Sequence, residues 1–122
     1  MNRLWTARNY KLEVKLSKNE IIDIIKNNHS FHINFEQHIN EKVVVLFIIK
    51  EFIKIFVNGI ITMSVVIKEN NKQLSVVTIA MHNPIASEGF FNDLNAGKST
   101  RKEFFKELEP YIIKIEEITQ QT

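Results

Sequence analysis

The sequence predicts an α+β fold: a single antiparallel β-sheet of about five strands in the order β–α–β–β–β–β–α. A short N-terminal helix and a long C-terminal helix are expected on one face of that sheet. Three observations lead there. Several runs alternate apolar and polar residues, the mark of half-buried strands. Two Ser/Thr-x-x-Glu boxes announce helix starts. Asn-Gly and Asn-Asn pairs punctuate a central region rich in Val, Ile and Phe, as turns punctuate a meander.

Residues 1–9 (MNRLWTARN) show no period and read as an arm, with Leu4 and Trp5 as candidate anchors. The domain proper then runs over 10–122. Tyr10, Leu12, Val14 and Leu16 alternate with Lys11, Glu13 and Lys15, which is a strand with one buried face. Ser17 and Glu20 form a capping box, in which each side chain satisfies an orphan backbone donor. Ile21, Ile22, Ile24 and Ile25 supply the apolar stripe of a short helix. Asn27-Asn28 ends it, because Asn tolerates the left-handed conformation. Phe31, Ile33 and Phe35 alternate with His32, Asn34 and Glu36 in a second strand, and Asn40-Glu41 turns the chain.

Val43 to Val57 reads as one long strand, since β-branched and aromatic residues dominate it. It runs into Asn58-Gly59, a two-residue hairpin signal in which both turn residues take positive φ. Ile60 to Lys68 pairs back, with Ile61, Met63, Val65 and Ile67 on one face and Thr62 and Ser64 on the other. Asn70-Asn71-Lys72 turns again, and Leu74 to Met81 closes the meander. His82 to Lys98 holds Pro84, Gly89 and Gly97 and reads as a long loop. Thr100 and Glu103 form the second capping box. Phe104, Leu108, Tyr111, Ile115 and Ile118 follow at helical spacing, with a kink or break expected near Glu107–Glu109 because Pro110 lacks an amide donor.

Composition bounds the function. At 122 residues the chain is one domain. It has no cysteine, so disulfides, thiolate metal sites and cysteine nucleophiles are excluded. No apolar run is long enough for a transmembrane helix or a signal peptide, so the expectation is a cytoplasmic protein with no membrane partner. Ile, Lys and Asn make up 45 of the 122 residues, which fits a low-GC bacterial genome. Net charge is only +2, but residues 1–18 carry five basic groups against Glu13, a local +4. That excess reads as a solvated arm, and a nucleic-acid contact is the less favoured reading.

No arrangement of residues carries a reaction. His32 and His38 are six apart, so one strand would put both on one face but about 20 Å apart, too far to share a metal. The serines lack a nucleophile elbow, and Gly97-Lys98-Ser99 lacks the earlier glycine of a phosphate loop. Glu51 interrupts an apolar strand and reads as a paired carboxylate beside Lys50 or Lys54. No catalytic residue, metal ligand or cofactor site is assigned. Phe90-Phe91 stands out in the loop, because adjacent aromatics do not both reach one core. With His82, Asn83 and Glu88 they form a candidate ligand or partner contact.

KEFIKIF, VNGIITMSVVI, MHNPIASEGFF and NDLNAGKSTRKEFFKEL together resemble an uncharacterised family of small bacterial domains common in Firmicutes, over roughly residues 50–111. The family's glycine-rich turn is His82-Asn83-Pro84 here. The family carries no established activity, so the resemblance implies a fold rather than a reaction.

The expected function is therefore non-enzymatic: a soluble binding or assembly domain, with a homodimer formed through the sheet. Val43 to Ile49 is apolar at seven consecutive positions, so both faces carry large side chains. Two helices cover one face, and Ile60 and Val66 mark the other as the dimer face. Two alternatives stay open. One is a small apolar ligand held in a cavity between the sheet and the C-terminal helix. The other is weak nucleic-acid binding through the basic arm.

Overall fold

The computed structural model describes residues 9–53, 58–82 and 100–118. Its elements are β1 (Asn9–Val14), α1 (Lys18–Asn27), β2 (His32–His38), β3 (Val43–Ile53), β4 (Asn58–Asn71) and β5 (Leu74–His82). A second helix, α2, covers 100–108, a 3-10 turn follows at Glu109–Tyr111, and β6 spans Ile112–Ile118. The strands form one antiparallel sheet of six in the order β2-β3-β4-β5-β1-β6. The α+β class and the single antiparallel sheet agree with the expectation. The sixth strand does not.

That strand replaces the second half of the expected long helix. Helix α2 stops at residue 108 and Pro110 lies in the 3-10 turn, close to where the missing amide donor was expected to break it. Beyond it, Ile112, Ile113 and Ile115 favour extended backbone, and the outer edge of β1 offers a ladder. The Lys15 amide donates to the Tyr111 carbonyl at 2.8 Å and starts the pairing. Tyr111, Ile115 and Ile118 therefore do not share a helix face with Phe104 and Leu108; all three are exposed.

Both helices lie on one face and close one core. Leu12, Val14, Leu46, Ile48, Val65 and Val77 point into it from the sheet, and Ile21, Ile25, Phe104 and Leu108 meet them from the helices. Helix α1 is capped as its sequence requires: the Glu20 amide donates to Ser17 Oγ and the Ser17 amide to Glu20 Oε1. Its end differs from expectation. Asn28 is extended (φ −92°, ψ 106°) rather than left-handed, and its side-chain oxygen accepts from the Ser30 amide. The second capping box is also reassigned. Thr100 is already helical and buried, and the Glu103 carboxylate is engaged by Lys50 and Asn28.

The β3–β4 register moves the expected hairpin. Phe52 pairs with Gly59 and Ile53 with Asn58, so Asn58-Gly59 begins β4 rather than forming the turn; the expected continuation of β3 to Val57 lies outside the described residues. The hydrophobic rows dictate this. Val44, Leu46 and Ile48 lie opposite Ile67, Val65 and Met63, all buried. A two-residue turn at Asn58-Gly59 would shift the pairing by six residues along the ladder. Val44, Leu46 and Ile48 would then fall opposite Gln73, Asn71 and Glu69, and the two buried rows would no longer meet. The Asn40-Glu41 turn matches its sequence signal, whereas the next turn falls at Lys72-Gln73, because β4 runs on through Asn70 and Asn71, and Asn71 pairs with Leu74. Asn40 Oδ1 accepts from the Lys42 and Val43 amides, and Asn71 Oδ1 accepts from the Gln73 amide.

Candidate interaction surface

The seven-residue apolar run in β3 divides cleanly between the two faces. Val44, Leu46 and Ile48 are buried under the helices, while Val43, Val45, Phe47 and Ile49 are half-buried on the face that neither described helix covers. Antiparallel register extends this second row across the sheet. Phe35 lies opposite Phe47, Val66 opposite Val45, and Ile60 beside them at the start of β4. Phe35 is 50% exposed and Ile60 46%, and Val66 is half-buried. Toward β1 and β6 the same face turns charged, with Lys11, Glu13, Lys114 and Glu116.

Phe35 reached this face by a bulge. The register shifts between Ile33 and Phe35, so Ile33 stays with the core and Phe35 is turned to the opposite side. The same shift separates the histidines. His32 pairs with Ile49 and His38 with Val44, so they occupy opposite faces rather than the one face that even spacing implies. His38 instead contacts Glu36, with Nε2 2.7 Å from Oε2, and Lys26 reaches the other carboxylate oxygen at 3.4 Å. The His38 hydrogen bond, helped by Lys26 and opposed by burial, holds the Glu36 carboxyl below its ordinary value. Among the described residues no group of three potential ligands could hold a metal ion.

A second cluster pins the helix layer to the sheet. Lys50 Nζ donates to Glu103 Oε1 and sits 5.5 Å from the centroid of the Phe31 ring. Asn28 Nδ2 donates to the other Glu103 oxygen at 3.5 Å. Burial raises the Glu103 carboxyl, but hydrogen bonds from Lys50, Ser30 and Asn28 outweigh it and leave the group below its ordinary value. The sequence places Lys50 with Glu51; the structure pairs it with Glu103, because Lys50 continues the inward row of Val44, Leu46 and Ile48. Parity along β3 carried that signal.

The proposed contact cluster divides at the end of β5. His82 is its last residue, opposite Thr62. Asn83, Glu88, Phe90 and Phe91 lie outside the described residues, as do residues 1–8 and the Gly97-Lys98-Ser99 stretch. Of the basic residues within 1–18, Lys11 lies in β1 and Lys18 is buried, its Nζ donating to the Glu41 carbonyl at 2.7 Å. The Glu51 side chain does too, although its backbone pairs with Ile60. Where the sequence suggests a cavity under the C-terminal helix, Phe104 and Leu108 are buried, and the Phe104 ring packs edge-on to Phe31 at 5.6 Å.

No protein-family model matches the chain, and no curated protein matches it. No helix among the described residues is long and apolar enough to cross a membrane.

Proposed function

We propose that the protein is a non-enzymatic binding or assembly domain of the bacterial cytoplasm that self-associates through the helix-free face of its sheet. The observation that supports this reading is the outer apolar row of β3. Val43, Val45, Phe47 and Ile49 continue into Val66, Phe35 and Ile60 while both described helices sit on the other side. Soluble monomers avoid contiguous apolar patches beyond roughly 300–600 Å². A second copy is the simplest cover, since a two-fold contact needs one self-complementary patch.

Light scattering on a sizing column at micromolar concentration tests it. The expected mass is at least twice 14.3 kDa. Val66→Lys, at the centre of the row, and Ile60→Lys, at its end, should each weaken the contact while leaving the circular dichroism spectrum unchanged. A single-chain mass at every concentration overturns the reading. So does association indifferent to both substitutions.

A further inference from the structure

Strand β6 ends the strand order, and no described strand pairs with its outer edge. A free edge is a template for another strand, and proteins blunt it with charge, bulges or cover. Here the apolar content is high: Ile113 is 52% exposed, Ile115 51% and Ile118 37%. Charges do sit on β6, but in an order that suits a copy of itself.

We propose that two copies of the chain pair β6 against β6, antiparallel, about a two-fold axis through Ile115, so that one sheet continues into the next. This contact uses the sheet edge and stands independently of the face contact above.

The register follows from faces and charges. Residues directly opposed across an antiparallel pair share a face, so a two-fold pairing must centre on a residue rather than between two. Lys114 and Glu116 occupy the helix-free face, opposite Glu13 and Lys11 of β1. Centring on Lys114 sets Lys114 against its own copy, and centring on Glu116 does the same for Glu116; both repel. Centring on Ile115 sets Lys114 against the second copy's Glu116, twice by symmetry. The row then reads Glu13, Lys114, Glu116, Lys11 across the two copies, alternating in sign at every step. On the other face Leu12 is fully buried and Ile115 beside it is half exposed. Ile115 meeting its own copy closes that row between two buried leucines. The register shift between Glu13 and Val14 bends β6 near Ile113, which confines the regular pairing to the residues about the axis, Lys114, Ile115 and Glu116.

The chain has no cysteine, so Ile115→Cys introduces a single thiol at the axis. Directly opposed residues in an antiparallel pair have Cα atoms about 4.5–5.5 Å apart, inside the range a disulfide spans. Under a mild thiol oxidant, Ile115→Cys should cross-link to the double-mass species at least about fivefold faster than Ile118→Cys. Equal rates for the two variants overturn the register. Charge reversal supplies the second arm. Lys114→Glu alone and Glu116→Lys alone should each weaken edge association about tenfold. An equimolar mixture of the two reversed variants should recover it, because each then presents the sign the other lacks. Recovery cannot come from a variant that has simply lost its fold. Association unaffected by either reversal, or no recovery in the mixture, overturns the proposal.

Discussion

Lys50 is the residue on which the helix layer and the sheet are most closely joined. It continues the inward row of β3, where the Glu103 carboxylate accepts from its ammonium and the Phe31 ring faces it. Glu103→Gln should therefore destabilise the protein by about 1–2 kcal/mol at neutral pH, since a charge-assisted hydrogen bond is lost. The pH dependence has a definite sign. The Glu103 carboxyl is held below its ordinary value of 4.5 in the folded chain, so its contribution is present above that value and is lost as acid titrates the group. Urea midpoints of wild type and Glu103→Gln should differ at pH 7 and draw together as acid protonates the carboxyl. A difference that persists undiminished in acid would mean the carboxylate's charge is not what matters. Leu108 supplies the apolar counterpart. It is fully buried, so Leu108→Ala should cost about 2–5 kcal/mol. Exposed Lys106→Ala should cost within about 0.5 kcal/mol. Similar losses for the two would overturn the face assigned to α2.

At the scale of the element, most of this fold was legible because period 2 is a strong signal wherever one face is buried. Strands β1, β4 and β5 and the capped helix α1 emerge where alternation and the Ser17 box place them. Two elements misread for opposite reasons. Tyr111, Ile115 and Ile118 satisfy helical spacing only because isoleucine is dense enough to satisfy any spacing. Pro110 marked the break, but nothing local showed that β1 had an unfilled edge for the following residues to pair with. Asn58-Gly59 has turn chemistry, yet hydrophobic register along eleven paired positions outweighed it. This reverses the expectation for Gly59. A residue required at positive φ would resist substitution by a β-branched one. Gly59 instead pairs with Phe52 inside β4, where valine is a better strand former. Gly59→Val should leave the melting temperature unchanged or raise it. A fall equivalent to more than about 1 kcal/mol would return the turn to Asn58-Gly59.

At the scale of the whole molecule, the candidate surface was half legible. The seven-residue run announced that the second face is apolar, and Ile60 and Val66 do lie on it. Alternation alone puts Phe35 on the same face as Ile33, because a bulge leaves no trace in such a pattern, yet Phe35 is among the most exposed members of the patch. The edge at β6 could not be read at all while that segment passed for helix. The two surfaces have a joint consequence. The edge axis runs perpendicular to the sheet, whereas an axis that stacks two helix-free faces lies parallel to it. Two-fold axes at right angles that intersect generate a closed set of four copies; axes that miss generate an open chain. Strand β6 lies beside the charged part of the helix-free face, so edge pairing leaves the apolar part on β2–β5 clear for stacking. The expected wild-type mass at high concentration is therefore four times 14.3 kDa. Val66→Lys should reduce it to two copies joined by edges, Lys114→Glu to two copies joined by faces, and the combined substitutions to one. Light scattering on these four proteins decides the matter. Mass that keeps growing with concentration would show that the axes do not meet. A single-copy mass for either single variant would show that the two contacts depend on each other.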